Sequence, residues 1–324
     1  MERYLAIDCG KAETKIAIRN NNDSSVLTKS FPTHVIKKQY TDIDTAFNMG
    51  NSFQVEFSDS SYIVGQMATG EESTTSISSS KRDLKHKIAT LTAIASNVNN
   101  GDSVKVAICC PIEEYQNKPR RQEYLDFIIP KGRIDIKINN VDKNFTITDA
   151  IVFPESLGAM NFLPTNLAQS LVGVIDIDGL NVNACLINKG LIETTRCFTG
   201  KLGRKFINAS VKENLEAKYP AEFSDFEIDS FIENGYVPNH KEESSKIIET
   251  VLDNHMHKVV DLCKTKNWNI DFMTLMFIGG TSLLLADRIR NKFPEAVLVE
   301  NANYVNAIGA LKALCSKHKV MTSK

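Results

Sequence analysis

Two aspartates, Asp8 and Asp176, occupy matching positions in two similar stretches of this 324-residue chain. Residues 4–18 read YLAIDCGKAETKIAI, and residues 172–187 read VGVIDIDGLNVNACLI. In each stretch an apolar strand ends at the aspartate, a turn containing glycine follows, and a second strand returns. Backbone N–H groups in such a turn can bind phosphate oxygens, and the carboxylate can bind Mg²⁺ through water. The two stretches therefore predict two similar domains that face each other across a nucleotide.

One hairpin of this kind is weak support, because Asp and Gly recur in turns for conformational reasons alone. A third segment, residues 273–289, reads MTLMFIGGTSLLLADRI and predicts a strand, a tight turn and a helix. Gly279 and Gly280 have no Cβ, so a ligand can approach their backbone closely. Thr281 or Ser282 is expected to cap the helix. The alternative for this segment is a plain strand-to-helix turn.

Together these segments resemble the actin-like ATPase superfamily, which includes actin, bacterial actins, heat-shock chaperones and sugar kinases. In that family the two hairpins are phosphate loops, and the late Gly-Gly turn contacts the adenosine. Linking segments fit as well, namely KVAICCPIEEYQN at 105–117 and ENANYVNAIGALKAL at 300–314. In VFPESLGAM at 152–160, a helix is expected to begin after Pro154 and to carry Glu155 in its first turn. The CCPIEEY and PESLGA motifs most resemble ParM-type plasmid-segregation actins.

The resemblance implies an α/β, actin-like fold: a duplicated, ribonuclease H-like arrangement of two domains with a nucleotide cleft. Domain I is expected at 1–165, with a subdomain near 35–95 and a C-terminal helix near 303–320. Domain II is expected at 166–302, with a subdomain near 205–268.

The resemblance also assigns roles to residues. Asp8 and Asp176 would hold Mg²⁺ through water, and Asp176 is also expected to be catalytic. Glu155 would orient or activate the attacking water; the alternative is an ordinary acid that the dipole favours in a first helical turn. Lys15 would contact phosphate; the alternative is a solvated surface lysine. The other expected nucleotide-binding residues are Gly10, Lys11, Thr14, Asp178, Gly179, Asn181, Gly203, Gly279, Gly280 and Thr281.

The chain departs from the family pattern in both loops. Lys11 follows Gly10 where the family often has Ser or Thr, and Asp178 stands where the family usually has Gly. Leu180 or Asn181 stands where the family often has Thr. A carboxylate near the γ-phosphate would repel it unless a metal or Lys11 compensates. The hydrolysis rate and the exact phosphate geometry therefore stay open. The helix from Lys201 and the region 241–246 are expected to face the purine, and these residues do not distinguish ATP from GTP.

Composition sets further expectations. The net charge is −1 with 24% charged residues, so direct binding to nucleic acid is not expected, and DNA would be contacted through an adaptor protein. No apolar run is long enough to span a membrane, and MERYLAID enters a strand directly, which argues against a signal peptide. Seven cysteines without metal-binding spacing predict buried, reduced thiols and a cytoplasmic location.

Periodicity predicts the remaining elements. The segment 70–81, rich in Ser and Thr, is expected to be an exposed loop, and 219–238 is expected to contain loops and a short helix. Strands are predicted near 3–8, 13–19, 25–31, 104–110, 133–139, 144–153, 172–177, 182–188 and 191–196. Helices are predicted near 82–97, 201–217 and 241–266.

Three functions fit these observations. The main hypothesis is a bacterial-actin type of filament, in which nucleotide binding favours assembly and hydrolysis favours disassembly. The alternative is a small-molecule kinase of the same fold, acting on a sugar or an acid, although no sugar-kinase signature is present. A chaperone-like nucleotide switch is a third class, and it is weaker because no substrate-binding domain follows residue 320 of this sequence.

Overall fold

The computed structural model describes residues 1–37, 51–68, 82–167 and 169–322. The chain forms two compact units, Met1–Asn161 with Tyr304–Lys324 (unit one) and Phe162–Asn303 (unit two). The loop expected at 70–81 lies outside the described residues. The smaller subdomains expected near 35–95 and 205–268 stay predictions, and part of the first is also outside that range.

Unit one contains a mixed sheet with helices on it. Its strands are β1 (Glu2–Cys9), β2 (Glu13–Arg19), β3 (Val26–Pro32), β4 (Val35–Lys37), β5 (Ser52–Phe57), β6 (Ser60–Gly65), β7 (Asp102–Cys110), β8 (Gly132–Ile138) and β9 (Val141–Pro154). Its first helices are α1 (Leu84–Ala95), α2 (Ile112–Gln116) and α3 (Lys118–Ile128), and a 3₁₀ helix follows at Leu157–Asn161. The strand order in the described residues is β3-β2-β1-β7-β9-β8-β5-β6-β4.

Unit two contains a second sheet. Its strands are β10 (Leu171–Ile177), β11 (Val182–Asn188), β12 (Leu191–Ile192), β13 (Phe198–Gly200), β14 (Thr274–Ile278) and β15 (Val297–Leu298). Its helices are α4 (Arg204–Lys218), α5 (Asp225–Asn234), α6 (Lys241–Thr265), α7 (Gly280–Leu284) and α8 (Ala286–Lys292). Short 3₁₀ helices lie at Thr165–Leu167, Thr194–Arg196, Ile270–Phe272 and Ala302–Tyr304. The last helix, α9 (Val305–Lys317), belongs to unit one.

The two sheets repeat one topology, which confirms the predicted duplication. The order β3-β2-β1-β7-β9 in unit one corresponds to β12-β11-β10-β14-β15 in unit two. In both, the first hairpin is antiparallel, and the next two strands run parallel to its first strand. The carboxyl ends of three parallel strands therefore meet at one edge of each sheet.

Strand alternation decides which face each side chain of β1 occupies. Leu5 and Ile7 belong to the apolar cluster that contains α1, whereas Tyr4 and Ala6 belong to the cluster that contains α9. Asp8 continues the second series. The sheet edge in unit one is therefore held between helices on both faces, and this burial fixes the register of the hairpin.

The strand predicted near 191–196 is wrong in its second half. Pairing with β11 stops after Ile192, a 3₁₀ turn covers Thr194–Arg196, and pairing resumes at Phe198. The register changes from Ile187 opposite Ile192 to Ala184 opposite Phe198, so extra residues are bulged out of the ladder. A polar run, ETTR, gives no period from which this break could be predicted.

No helix in the described residues is both long and apolar enough to cross a lipid bilayer. All seven cysteines are thiols, and six of them are buried, as predicted; Cys197 is half-buried.

Candidate functional site

Asp8 and Lys15 face each other across the first hairpin. They are directly paired in the β1–β2 register, and their exposed fractions are only 3% and 6%. Cross-strand partners have Cβ atoms about 4.5–5.5 Å apart, so the carboxylate and the ammonium share one local environment. The solvated-surface alternative for Lys15 is therefore wrong, because the side chain is buried.

The turn between these strands is closed by its own backbone. The Gly10 N–H lies within hydrogen-bonding distance of the Glu13 carbonyl, 3.0 Å, and of the Asp8 carbonyl, 3.1 Å. This N–H serves the turn, so the donors that a phosphate could meet come from later residues such as Lys11, whose side chain is partly exposed.

Thr14 does not join this pair. Its hydroxyl lies 2.8 Å from the Thr33 hydroxyl and 3.4 Å from the Cys9 thiol. Cys9 belongs to the α1 side of the sheet, opposite to the side that Asp8 and Lys15 occupy. Strand alternation could have shown this, because adjacent residues point to opposite faces.

Glu155 follows β9 and is 5% exposed. Its N–H donates to the Cys110 carbonyl at 2.8 Å, which extends the strand ladder by one residue. Ser156 then turns with φ +69°, and its N–H donates to Asn306 Oδ1 at 2.8 Å. The expectation of a helix starting after Pro154 with Glu155 in its first turn is wrong, since the 3₁₀ helix begins at Leu157. The helix dipole therefore does not explain this acid.

Three ionisable side chains thus collect at one edge of the unit-one sheet. β1, β7 and β9 are parallel neighbours, with Ile7 opposite Ile108 and Cys110 opposite Pro154. Asp8 and Glu155 end two strands that are two strand spacings apart, roughly 10 Å. Asn306, which holds the turn after Glu155, was not predicted; only its place in the small-residue segment that forms α9 pointed to it.

In unit two, Asp176 occupies the equivalent strand end and is fully buried. It is paired with Asn183 on β11, which in turn is paired with Thr199 on β13. The Thr199 hydroxyl donates to Asn183 Oδ1 at 2.9 Å. This polar row across three strands was missed from sequence, although an asparagine within the apolar run VNACLI was a usable signal.

The turn after Asp176 is packed on the start of α4. The Asp178 N–H donates to the Asn181 carbonyl at 3.0 Å. The Arg204 N–H donates to the Asp178 carbonyl at 3.0 Å, and the Lys205 N–H donates to the Gly179 carbonyl at 2.9 Å. These bonds satisfy N–H groups that a helix start leaves without partners.

Gly203 lies where α4 meets this turn. Its N–H donates to the Leu180 carbonyl at 3.0 Å, and a Cβ here would lie 2.6 Å from the Leu180 nitrogen. Close backbone packing therefore requires glycine at this position, independently of any ligand.

The Gly-Gly turn reaches the same sheet edge. Gly279 has φ +87°, and a Cβ on it would lie 2.6 Å from Asp176 Oδ1. Thr281 donates its hydroxyl to the Asp178 carbonyl at 3.0 Å, and Ser282 donates its hydroxyl to the Ile278 carbonyl at 2.6 Å. The expectation that one of these hydroxyls caps the helix is wrong, because both bind carbonyls and the cap position is Gly279. Asp176, its turn and the Gly-Gly turn form one cluster.

Comparisons with known proteins agree with this fold. A family model described as the N-terminal domain of actin-like proteins matches residues 6–158. A structure described as the Alp12 filament aligns over 98% of this chain and 99% of its own, with 24% identity and a TM-score of 0.72. The chain has an actin-like fold. It resembles ParM-type actins, as its motifs predicted.

Two further structures are similar over nearly their whole length. The 15-stranded ParM filament from Clostridium botulinum shares 17% identity, covers 98% of this chain and 100% of that one, and has a TM-score of 0.77. Ta0583, an archaeal actin homologue in complex with ADP, shares 14% identity, covers 95% and 98%, and has a TM-score of 0.75. No curated protein sequence matches the chain.

Proposed function

We propose that this chain binds a magnesium nucleotide, hydrolyses it and assembles into filaments of the bacterial-actin type. The observation that carries the proposal is the burial of Asp8, Lys15 and Glu155 at one sheet edge and of Asp176 at the equivalent strand end. Burying ionisable groups costs free energy, and such groups collect at sites of chemistry.

Nucleotide binding falls to both hairpins. In unit one, Lys15 and the N–H groups after Gly10 would contact phosphate oxygens. In unit two, the Asp178–Asn181 turn and the Gly279–Thr281 turn would contact the rest of the nucleotide. Gly203 supports the Asp178–Asn181 turn, because its backbone packs directly against Leu180.

The acids suit Mg²⁺, which prefers carboxylate and water oxygens. Asp8 and Asp176 would hold the ion through water, and Mg²⁺ would neutralise charge that develops on the phosphates. ATP and GTP both satisfy this chemistry.

Glu155 is proposed to accept a proton from the attacking water and to orient it. A general base needs a fixed position and a carboxylate shielded from bulk water. The Glu155 N–H bond to Cys110 and the Ser156 bond to Asn306 fix the backbone on both sides of it.

Self-assembly is supported by the filament structures of Alp12 and of the Clostridium botulinum ParM that this chain resembles. Bound ADP in Ta0583 supports the nucleotide assignment. The sequence resemblance to ParM-type actins makes plasmid DNA the proposed cargo, held through a DNA-binding adaptor. A reducing, cytoplasmic setting fits seven thiols without a disulfide.

Light scattering after addition of Mg²⁺ and ATP or GTP tests this proposal. A rise that decays as phosphate is released is expected, and a non-hydrolysable analogue should give a rise without decay. Transfer of phosphate to an added sugar or acid without scattering would indicate the kinase. Neither scattering nor phosphate release with either nucleotide would overturn the proposal.

A further inference from the structure

Two cysteines of unit two lie side by side at the edge of its sheet. The β11–β13 register pairs Ala184 with Phe198, so its next rung places Cys185 opposite Cys197. Opposed residues of antiparallel strands have Cα atoms about 4.5–5.5 Å apart. Disulfides span Cα separations of about 4.4–6.8 Å, so this rung has the spacing of a disulfide. The two thiols are in hydrogen-bonding contact.

The two thiols have different surroundings. Cys185 is fully buried, whereas Cys197 is half-buried and donates to the Glu193 carbonyl at 3.5 Å. The hydrogen bond from Cys185 lowers the pKa of the Cys197 thiol, and a backbone bond with Leu186 adds to this. By contrast, burial raises the pKa of Cys263 to about 12 and of Cys315 to about 11. The thiolate is the reactive form, so Cys197 is set apart by access and by its hydrogen bonds.

We propose that Cys185 and Cys197 form a reversible intrachain disulfide with a small-molecule disulfide, such as oxidised glutathione, as oxidant. The Cys197 thiolate attacks one glutathione sulfur, forming a mixed disulfide and releasing one glutathione thiolate, which takes up a proton. The Cys185 sulfur then attacks Cys197, loses its proton and releases the second glutathione. Two protein thiols become one disulfide, and one oxidised glutathione becomes two reduced molecules.

The disulfide would act on the polar row beside Asp176. Cys197 lies where the bulge at Thr194–Arg196 rejoins the sheet, two residues before Thr199. A covalent link to β11 would fix this rejoining point, and Thr199 is the residue that holds Asn183 opposite Asp176. Formation of the disulfide would therefore couple the redox state of the protein to the position of β13 beside Asp176.

The wild-type protein provides the first test. The reduced full-length chain is incubated with oxidised glutathione, quenched in acid, alkylated, digested and analysed by mass spectrometry. Reactive thiols counted in denaturant should fall by two from seven, and one peptide pair should link Cys185 to Cys197 until dithiothreitol separates it. The other five cysteines are internal controls, and they should remain reduced and therefore be alkylated.

Two variants separate the attacking and the resolving thiol. Cys185→Ser should stop the reaction at a stable glutathione adduct on Cys197, and Cys197→Ser should abolish reaction at both positions. A glutathione adduct that persists on Cys197 in the wild type would overturn the proposal, as would an unchanged thiol count. These readouts do not depend on nucleotide hydrolysis, so they fail or succeed separately from the proposed function.

Discussion

Glu155 gains its position from neighbours that are distant in sequence. Cys110 receives its N–H, and Asn306 receives the N–H of the following Ser156. Replacing Glu155 by Gln keeps the size of the side chain and removes the proton acceptor. We expect nucleotide binding and assembly to persist while phosphate release slows about 10²-fold or more, so filaments should last longer.

Phosphate release and scattering decay measure this effect in parallel. Glu113→Gln is the matched control, because Glu113 is an exposed acid on the neighbouring α2. Unchanged phosphate release in Glu155→Gln would remove the proposed role.

Asp176 is expected to act on metal affinity as well as on rate. Asp176→Asn keeps the shape and removes the charge that would hold Mg²⁺ through water. Loss of such an outer contact typically weakens metal affinity about 10- to 100-fold. Nucleotide titrations at several Mg²⁺ concentrations should show this loss, while Asp287→Asn, at an exposed acid of α8, should behave as wild type. Equal Mg²⁺ dependence in Asp176→Asn and wild type would count against the metal role.

The charged residues at the strand ends could be predicted from sequence. Their burial and their contacts with other residues could be predicted only partly. Asp8 and Asp176 follow directly from two matching strand patterns. The burial of Lys15 and the turn at Glu155 depend on partners far along the chain, so local patterns did not reveal them. Thr14 is a different case, because strand alternation alone would have placed it on the opposite face.

The Gly-Gly turn of unit two offers a matched pair of substitutions at the scale of an element. Gly279→Ala places a Cβ against the Ile177 carbonyl and Asp176 Oδ1 at a residue with positive φ. Backbone strain of this kind costs about 1–3 kcal/mol, and the clash adds to it. Gly280→Ala meets only Asn303 Cβ at 3.8 Å and should be neutral, or stabilising by up to about 1 kcal/mol.

Chemical or thermal unfolding of the two variants measures this difference. A Gly279→Ala protein as stable as Gly280→Ala would show that the turn relaxes easily.

His255 links α6 to the segment before α4, since its Nε2 lies 2.9 Å from the Leu202 carbonyl. Burial lowers the pKa of His255 and the charge of Lys258 lowers it further, although the bond to Leu202 opposes the shift. The unfolded chain therefore takes up the proton first as pH falls. The contribution of His255 to the free energy of unfolding is therefore fully present above about pH 6.5, the pKa of an unfolded histidine. It is lost as the pH falls from there toward the lower pKa of the folded state.

Thermal unfolding from about pH 7.5 to about pH 5.5 tests this linkage above the range where carboxylates titrate. His255→Gln should lose less stability over this interval than wild type, and His257→Gln, at an exposed position on the same helix, should follow wild type. His34 keeps a similar dependence in all three proteins, because burial also lowers its pKa. Parallel curves for wild type and His255→Gln would contradict the prediction.

Elements with strong periodicity could be predicted closely. The second strand of each hairpin, Glu13–Arg19 and Val182–Asn188, has the predicted limits, and α6 ends within one residue of its predicted end. The failures fall where backbone pairing overrides local pattern. Hydrogen bonding to β7 extends β9 through Pro154, next to the position where the sequence predicts a helix to begin. The bulge after Ile192 interrupts the strand that the sequence predicts over 191–196.

At the scale of the whole molecule, the fold could be predicted because the same sequence pattern occurs in both halves of the chain. Two apolar hairpins ending in aspartate, each followed later by a parallel strand, specify the same sheet order in both halves. Surfaces that contact other molecules are not repeated in this way, so the sequence does not identify them. Exposed aromatic residues such as Phe226 and Phe272 show no period or motif that names a partner.

Charge at this scale predicts how DNA is handled. The chain carries 38 basic and 39 acidic side chains, so it has no net positive charge with which to neutralise phosphates. Nucleic-acid affinity depends mainly on such neutralisation, and it falls steeply with salt. We therefore expect the purified monomer to show no tight, salt-sensitive binding of bare DNA in fluorescence anisotropy.

A DNA-binding adaptor is expected to supply that charge and to prefer the assembled, nucleotide-bound protein. Cosedimentation of labelled plasmid with filaments, with and without a candidate adaptor encoded beside this chain, measures the preference. DNA that pellets only when adaptor and nucleotide are both present would support the segregation role. Tight DNA binding by the monomer that weakens with each increase in salt would contradict it, because an adaptor would then be unnecessary; the actin-like fold would stand in either case.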